Sequence, residues 1–240
     1  MADVEMTFIE HLAELRTRLI RSLYGLGAFF VMGFIMRKWL LEQLMKPLPK
    51  DIHLQVLVPH EPFMASIRLA AYTALFLGLP IVLYQATMFV LPALKDVERK
   101  VILSSIVFGT VLAFLGFAFA YWVILPVIFP ALRGFLPITG LENNYRLTEF
   151  MKFVGTIVLG FGAAFQVPTV VVILAKLGIL PVRVLAKNTP IVVLVLAVIS
   201  ALLTPADLPS MLMMFVPLMA LYAVGLGVAA IITRKKVDES

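Results

Sequence analysis

Six stretches of the chain contain no Asp, Glu, Lys or Arg: 22–36, 69–94, 101–132, 153–175, 188–206 and 208–233. About 20 apolar residues in a helix cross the ~30 Å hydrocarbon layer of a bilayer. The pattern therefore predicts an all-α, polytopic membrane protein with six spanning helices. Leu19, Ile20 and Arg21 complete the first helix, with the Arg21 stem lying along apolar surface. The third stretch is too long for one perpendicular crossing, so it tilts or projects beyond the bilayer, with Trp122 at its far interface. The fifth is short: Pro190 to Leu203 is 14 residues, roughly 21 Å of helix. Thr204-Pro205-Ala206-Asp207 reads as a tight turn into the sixth, which predicts a short hairpin of helices five and six and a thinned membrane on the turn side.

The polar segments set the topology. One side collects Arg16, Arg18, Arg21, Lys95, Arg99, Lys100, Lys176, Arg183, Lys187, Arg234, Lys235 and Lys236. The other holds Arg37, Lys38, Lys46, Lys50, Arg68, Arg133, Arg146 and Lys152. The split is 12 to 8, and Lys and Arg mark cytoplasmic loops, so both termini are expected in the cytoplasm. The first outer loop, 39–68, contains Pro47, Pro49, Pro59 and Pro62 and reads as a rigid cap over the helices. No repeat, low-complexity tract or soluble domain interrupts residues 1–240, which read as one transmembrane domain. The opening Met1-Ala2-Asp3-Val4-Glu5 is acidic, unlike a cleavable leader.

Composition agrees. Charged residues make up 14% of the 240 and apolar residues 62%, against about 25% charged in soluble domains. Cysteine is absent, which excludes disulfides and thiolate chemistry. The net charge of +6 belongs to the loops, and no nucleic-acid motif accompanies it. Enzyme motifs are missing too: no HExxH, no GxSxG and no pair of intramembrane aspartates. His11, His53 and His60 are too scattered for a zinc cluster, and no cofactor or metal is expected.

Two short segments carry candidate chemistry. Thr7-x-x-Glu10 fits a capping box that starts a helix. Phe8, Leu12, Leu15 and Leu19 then share one face, and Glu10, Glu14 and Arg18 another. Glu14 either pairs with Arg18 on a solvated face or faces a ligand cation. The second segment, Phe89-Val90-Leu91-Pro92-Ala93-Leu94-Lys95-Asp96-Val97-Glu98-Arg99-Lys100, ends helix two and begins helix three. Asp96 can cap helix three, and Glu98 can complement its dipole. Alternatively, Glu98 with the apolar ledge of Phe89 and Leu94 receives a ligand bearing guanidinium groups followed by an apolar stretch. Arginine forks pair bidentately with carboxylates, and lysine does not. In helix four, Gln166 lies near Pro168. A buried polar group there either repairs the backbone opened by proline or anchors a partner helix. Gly160 and Gly162 permit close helix approach.

The order of these motifs resembles the TatC family, the receptor subunit of the twin-arginine translocase. The matching pieces begin with Glu10-His11-Leu12-x-Glu14-Leu15-Arg16-x-Arg18, Pro47-Leu48 and Leu79-Pro80-Ile81-Val82-Leu83-Tyr84-Gln85. They continue with Phe89-x-x-Pro92-Ala93-Leu94-x-x-x-Glu98-Arg99-Lys100, Phe117-Ala118-Phe119-Ala120-Tyr121, Phe161-Gly162-x-x-Phe165-x-x-Pro168 and Leu203-Thr204-Pro205-x-Asp207. The resemblance implies a prokaryotic inner-membrane receptor that binds twin-arginine signal peptides of folded cargo, with Glu98 contacting the arginine pair and Glu14 assisting. Glu10, Arg16, Phe89, Leu94, Arg99 and Lys100 are expected around the same surface. Pro47 is expected to support the outer cap. Gln166, Pro168, Thr204, Pro205, Asp207 and Met211 are expected on a concave face that meets partner helices of TatA and TatB type. The chain departs from the family at Gln166, where glutamate is common, at Ala223, where some relatives carry glutamate, and at Met211, where some carry glutamine.

Elementary geometry adds the need for partners. Six helices about 10 Å across leave a bore of only about 10 Å, whereas a 100-residue domain has a radius of gyration near 13 Å. Export of folded cargo therefore requires further subunits and several copies in a complex. The alternative reading is a small secondary transporter with a midplane solute site near Gln166.

Overall fold

The computed structural model describes residues 8–46, 53–90, 96–134, 144–204 and 207–238, with the side-chain surroundings of all of these except 8, 90, 96–102, 133 and 233–238. Helix α1 (Phe8–Ile35) turns at Met36 into α2 (Arg37–Met45). Strand β1 (His53–Gln55) precedes α3 (Glu61–Val90). Helix α4 (Asp96–Phe119) continues through a π-helical turn, Ala120–Ile124, into α5 (Leu125–Arg133). Strand β2 (Asn144–Arg146) leads into α6 (Leu147–Ala164) and α7 (Val167–Lys176). Helices α8 (Val182–Lys187), α9 (Thr189–Leu203) and α10 (Leu208–Asp238) complete the described residues.

Among the described residues, five helical stretches are long and apolar enough to cross a membrane: Ile9–Ile35, Glu61–Phe89, Leu103–Leu132, Leu147–Lys176 and Leu208–Ile232. Apolar α9, at 15 residues, is shorter. The fold is thus all-α and polytopic. The two strands are an addition to the reading of the sequence, and so are several boundaries. Much of the 39–68 segment is helix, because α2 covers its start and α3 begins at Glu61 rather than Leu69. The third span is interrupted by the π turn. The fourth breaks at Phe165 and Gln166, because Pro168 has no N–H to continue the ladder.

The centre of the molecule is where α3, α4 and α6 meet. Helix α1 packs chiefly on α3 and stands at the perimeter, with 11% of its membrane window buried. At the other end α10 packs on α7, and α9 on α10. Helices α4 and α6 approach closely through reciprocal glycines. A side-chain carbon on Gly116 would lie 2.6 Å from the Phe161 carbonyl oxygen, and one on Gly162 would run into the Phe117 ring. Each glycine admits the aromatic ridge of the other helix.

One end of the bundle carries a cap. Strands β1 and β2 pair in parallel, His53 opposite Asn144 and Gln55 opposite Arg146. Beneath them Glu61 is 1% exposed. It accepts hydrogen bonds from the Leu57 N–H at 3.0 Å and from Arg146 Nε. A buried carboxylate needs such partners. Arg68 donates to the Thr148 carbonyl at 3.0 Å, and Phe129 of α5 meets the Tyr145 ring of β2 edge-on, with centroids 6.0 Å apart. The long third span thus projects into the cap. Pro47, the residue expected to support it, lies outside the described residues.

The α9–α10 hairpin is set low against this cap. Gly160, 13 residues into α6 and roughly 20 Å from its start, faces Met214 and Leu203. Met214 is only six residues into α10. The turn therefore stops roughly 10 Å short of the level at which α6 begins. Helix α10 runs parallel to α6 and α7, so it ends on the face where α1 begins.

Candidate functional site

The face on which α1 begins and α3 ends carries the first group of expected residues. The His11 ring stacks on Phe89, with ring centroids 4.2 Å apart and planes 16° from parallel. This contact ties the start of α1 to the last turn of α3. It also turns His11 Nδ1 toward Glu14, 3.8 Å from Oε2. Arg18, one turn along α1, donates from Nε to Glu14 Oε1 at 2.8 Å and from Nη2 to the same oxygen. The Glu14–Arg18 pair expected from i, i+4 spacing is therefore present.

That pair engages only one of the two carboxylate oxygens. Glu14 Oε2 is buried and has no hydrogen-bond partner among the described residues. Gln85 Oε1, one turn before Phe89 on α3, is likewise buried and unpartnered. A buried acceptor without a donor costs about 1–3 kcal/mol. A guanidinium carries five N–H donors and no acceptor, which suits acceptors of this kind.

The other residues of this group are placed by their helices. Glu10 and Arg16 are exposed on α1. Glu98, Arg99 and Lys100 occupy the third, fourth and fifth positions of α4. Leu94 and Pro92 lie outside the described residues. The backbone thus brings the start of α1, the end of α3 and the first turn of α4 to one face of the molecule. His11 and Gln85 are the participants that reasoning from the sequence quoted only inside motifs. The signal for His11 was its i, i+3 spacing to Glu14.

The second group does not form one cluster. Gln166 Nε2 donates to the Gly109 carbonyl of α4 at 2.9 Å. It is neither mending its own helix nor open to the hydrocarbon; it fastens the break in the fourth span to the third. Pro168 is buried on another side of the helix, where a side-chain carbon on Gly225 of α10 would lie 2.8 Å from Pro168 Cα. Thr204 donates to the Ser200 carbonyl at 2.8 Å and closes the end of α9. Asp207 Oδ1 accepts from the Ser210 N–H at 2.8 Å and caps α10. Met211 is half-buried in the first turn beyond it, and Ala223 is exposed on α10. Pro205 lies outside the described residues. Among the described residues Thr204 and Asp207 both serve the turn itself. Gln166→Leu is expected to cost about 1 kcal/mol through loss of one interhelical hydrogen bond in the membrane. Thermal unfolding of the purified variant in detergent would show it as a lower midpoint.

Fold and site define a class: a helical, multi-pass membrane protein with acidic residues placed at one face and no enzyme motif. Residues 10–217 match the family described as "Sec-independent protein translocase protein (TatC)". Similar proteins include the Sec-independent protein translocase protein TatC of Halothiobacillus neapolitanus, 34% identical over 95% of this chain. The chain spans 63% of that relative's length. TatCy of Bacillus subtilis is 31% identical, covering 96% of this chain and 91% of its own. TatC of Haemophilus influenzae is also 31% identical, covering 99% and 94%. A crystal structure of the twin-arginine translocase receptor TatC in DDM superposes with a TM-score of 0.83 at 30% identity, covering 92% of this chain and 99% of that one. The chain belongs to the TatC family: it is a Sec-independent protein translocase component, a multi-pass protein of a prokaryotic membrane, and not an enzyme.

Proposed function

We propose that this chain is the receptor of its translocase and binds twin-arginine signal peptides at the face formed by the starts of α1 and α4 and the end of α3. The observation that supports the reading is Glu14 Oε2, a buried acceptor with no hydrogen-bond partner among the described residues, beside a stacked His11–Phe89 pair. Glu98, at the third position of α4, supplies the principal carboxylate, and Glu14 assists. Glu10, Arg16, Leu94, Arg99 and Lys100 border the surface, with Arg99 and Lys100 setting its charge pattern.

Energetics divide the work between the two parts of a signal. Hydrogen bonds to charged groups contribute roughly 1.5–3 kcal/mol each, less where water reaches them. An arginine pair alone then gives about millimolar to high-micromolar binding. The apolar part of the signal supplies the remainder by lying along α3 and α4. Shortening that part is expected to weaken binding of an otherwise unchanged peptide, as titration of the purified protein would show. Unchanged affinity would contradict this division.

The face with the termini is cytoplasmic, as the 12-to-8 basic split argues. Helix α9 completes six spans. Single-span subunits of TatA and TatB type dock on the outer faces of the helices and supply the passage that a single copy is too narrow to form. The reading is tested by titrating purified protein with a twin-arginine peptide and with its twin-lysine counterpart. Selective binding of the arginine form is expected, because only the guanidinium fork matches a carboxylate bidentately. Equal binding of both would contradict it.

A further inference from the structure

A cavity of about 440 Å³ lies at the opposite end of the molecule from the signal face, under the corner between α1 and α2. Its walls come from α1, α2, α3 and α6, including Met36, Leu44, Leu69, Phe76 and Val158. The lining is almost wholly apolar. Two of its polar groups are engaged with backbone: the Thr73 hydroxyl donates to the Leu69 carbonyl at 2.8 Å, and the Tyr121 hydroxyl donates to the Gln43 carbonyl.

The mouth faces outward. Met32, Met36 and Trp39 line it and are 37%, 40% and 52% exposed. Helix α1 stands at the perimeter of the bundle, so the opening meets hydrocarbon. An unfilled apolar void forfeits dispersion contacts along its walls, and the hydrocarbon beside it supplies a chain to fill it.

The rim specifies charge. Arg37 lies at the start of α2, its Nη1 donating to the Phe34 carbonyl at 2.9 Å and its guanidinium 5.0 Å from the Phe34 ring. Lys38 beside it is exposed, and Lys46 follows at the end of α2, donating to Gln43 Oε1 at 2.7 Å. Glu42 is the one acidic residue of that segment, so the rim is net positive. Trp39, next to Lys38 in the sequence, lines the mouth, as an interfacial anchor does. We infer that this corner binds an anionic phospholipid, with one acyl chain in the cavity and the phosphate at Lys38 and Arg37.

The chain has two tryptophans, Trp39 and Trp122, so Trp122→Phe leaves Trp39 as a reporter at the mouth. The variant is reconstituted into phosphatidylcholine vesicles containing increasing fractions of brominated-chain phosphatidylglycerol or, separately, brominated-chain phosphatidylcholine. Half-maximal quenching of Trp39 is expected at about fivefold less of the anionic lipid, the preference one basic side chain confers near a membrane surface. Lys38→Ala, which leaves Arg37 at the rim, should reduce that preference while leaving the fluorescence of the folded protein unchanged. Val158→Phe, which fills the cavity, should reduce quenching by both lipids. Equal quenching by the two lipids, unaffected by Val158→Phe, would overturn the inference. So would displacement of the quencher by added single-span subunits whatever the headgroup, which would make a partner helix the occupant.

Discussion

Glu98→Ala is expected to abolish selective binding of a twin-arginine peptide while the protein still inserts and folds. The reasoning is electrostatic. Removing the anion leaves a guanidinium pair with no bidentate acceptor at the first turn of α4, and such charge-assisted pairs supply the selectivity of arginine over lysine. Folding is expected to survive, because a residue in the first turn of a helix contributes to its own element mainly through the dipole, about 0.3–1 kcal/mol. Glu14→Ala should lose less. Its Oε1 is already taken by Arg18, so only Oε2 lacks a hydrogen-bond donor among the described residues, and Glu10 stands one turn away. Crosslinking of a signal peptide to each variant, with wild-type insertion as the control, ranks the two. A larger loss from Glu14 than from Glu98 would reverse the assigned roles.

Gly116→Val is expected to be the most damaging single change to the fold. A first side-chain carbon at Gly116 already falls 2.6 Å from the Phe161 carbonyl and 2.8 Å from the Phe165 ring. The carbonyl belongs to α6 backbone and cannot swing aside, so the helices must separate. Overpacking of this kind costs about 1–3 kcal/mol or more. Separation would also stretch the Gln166–Gly109 bond, which bridges the same two spans. The variant should unfold at a lower temperature and become accessible to protease. Gly227→Val is the control, because nothing lies within 4 Å of a side-chain carbon there. Equal loss from the two variants would show that glycine content rather than contact matters.

The spans were legible because charge is expensive in hydrocarbon and the chain segregates it strictly. The same rule made the α9–α10 hairpin readable as short before its turn was seen to stop below the start of α6. Pro168 marked the fourth span for a break, although the break's purpose was not legible. The acceptor of Gln166 is the carbonyl of Gly109, 57 residues away, and no local pattern signals a backbone partner. The cap was hidden for a similar reason. Its strands are three residues each, too short for an alternating pattern, and they pair across 91 positions. Glu61 and Arg146 are 85 apart and are paired by the fold alone. At the signal face, Glu14 and Arg18 followed from helical spacing, whereas the stacking of His11 on Phe89 depends on how α1 crosses α3.

The proposed receptor function rests on carboxylates at one face of the molecule. The most direct measurement is site-specific photocrosslinking of a twin-arginine precursor to membranes containing the wild-type protein or the Glu14→Gln/Glu98→Gln double variant. Near-complete loss of crosslinks in the double variant, at equal membrane abundance, is the predicted result. Crosslinks at wild-type intensity would contradict the account.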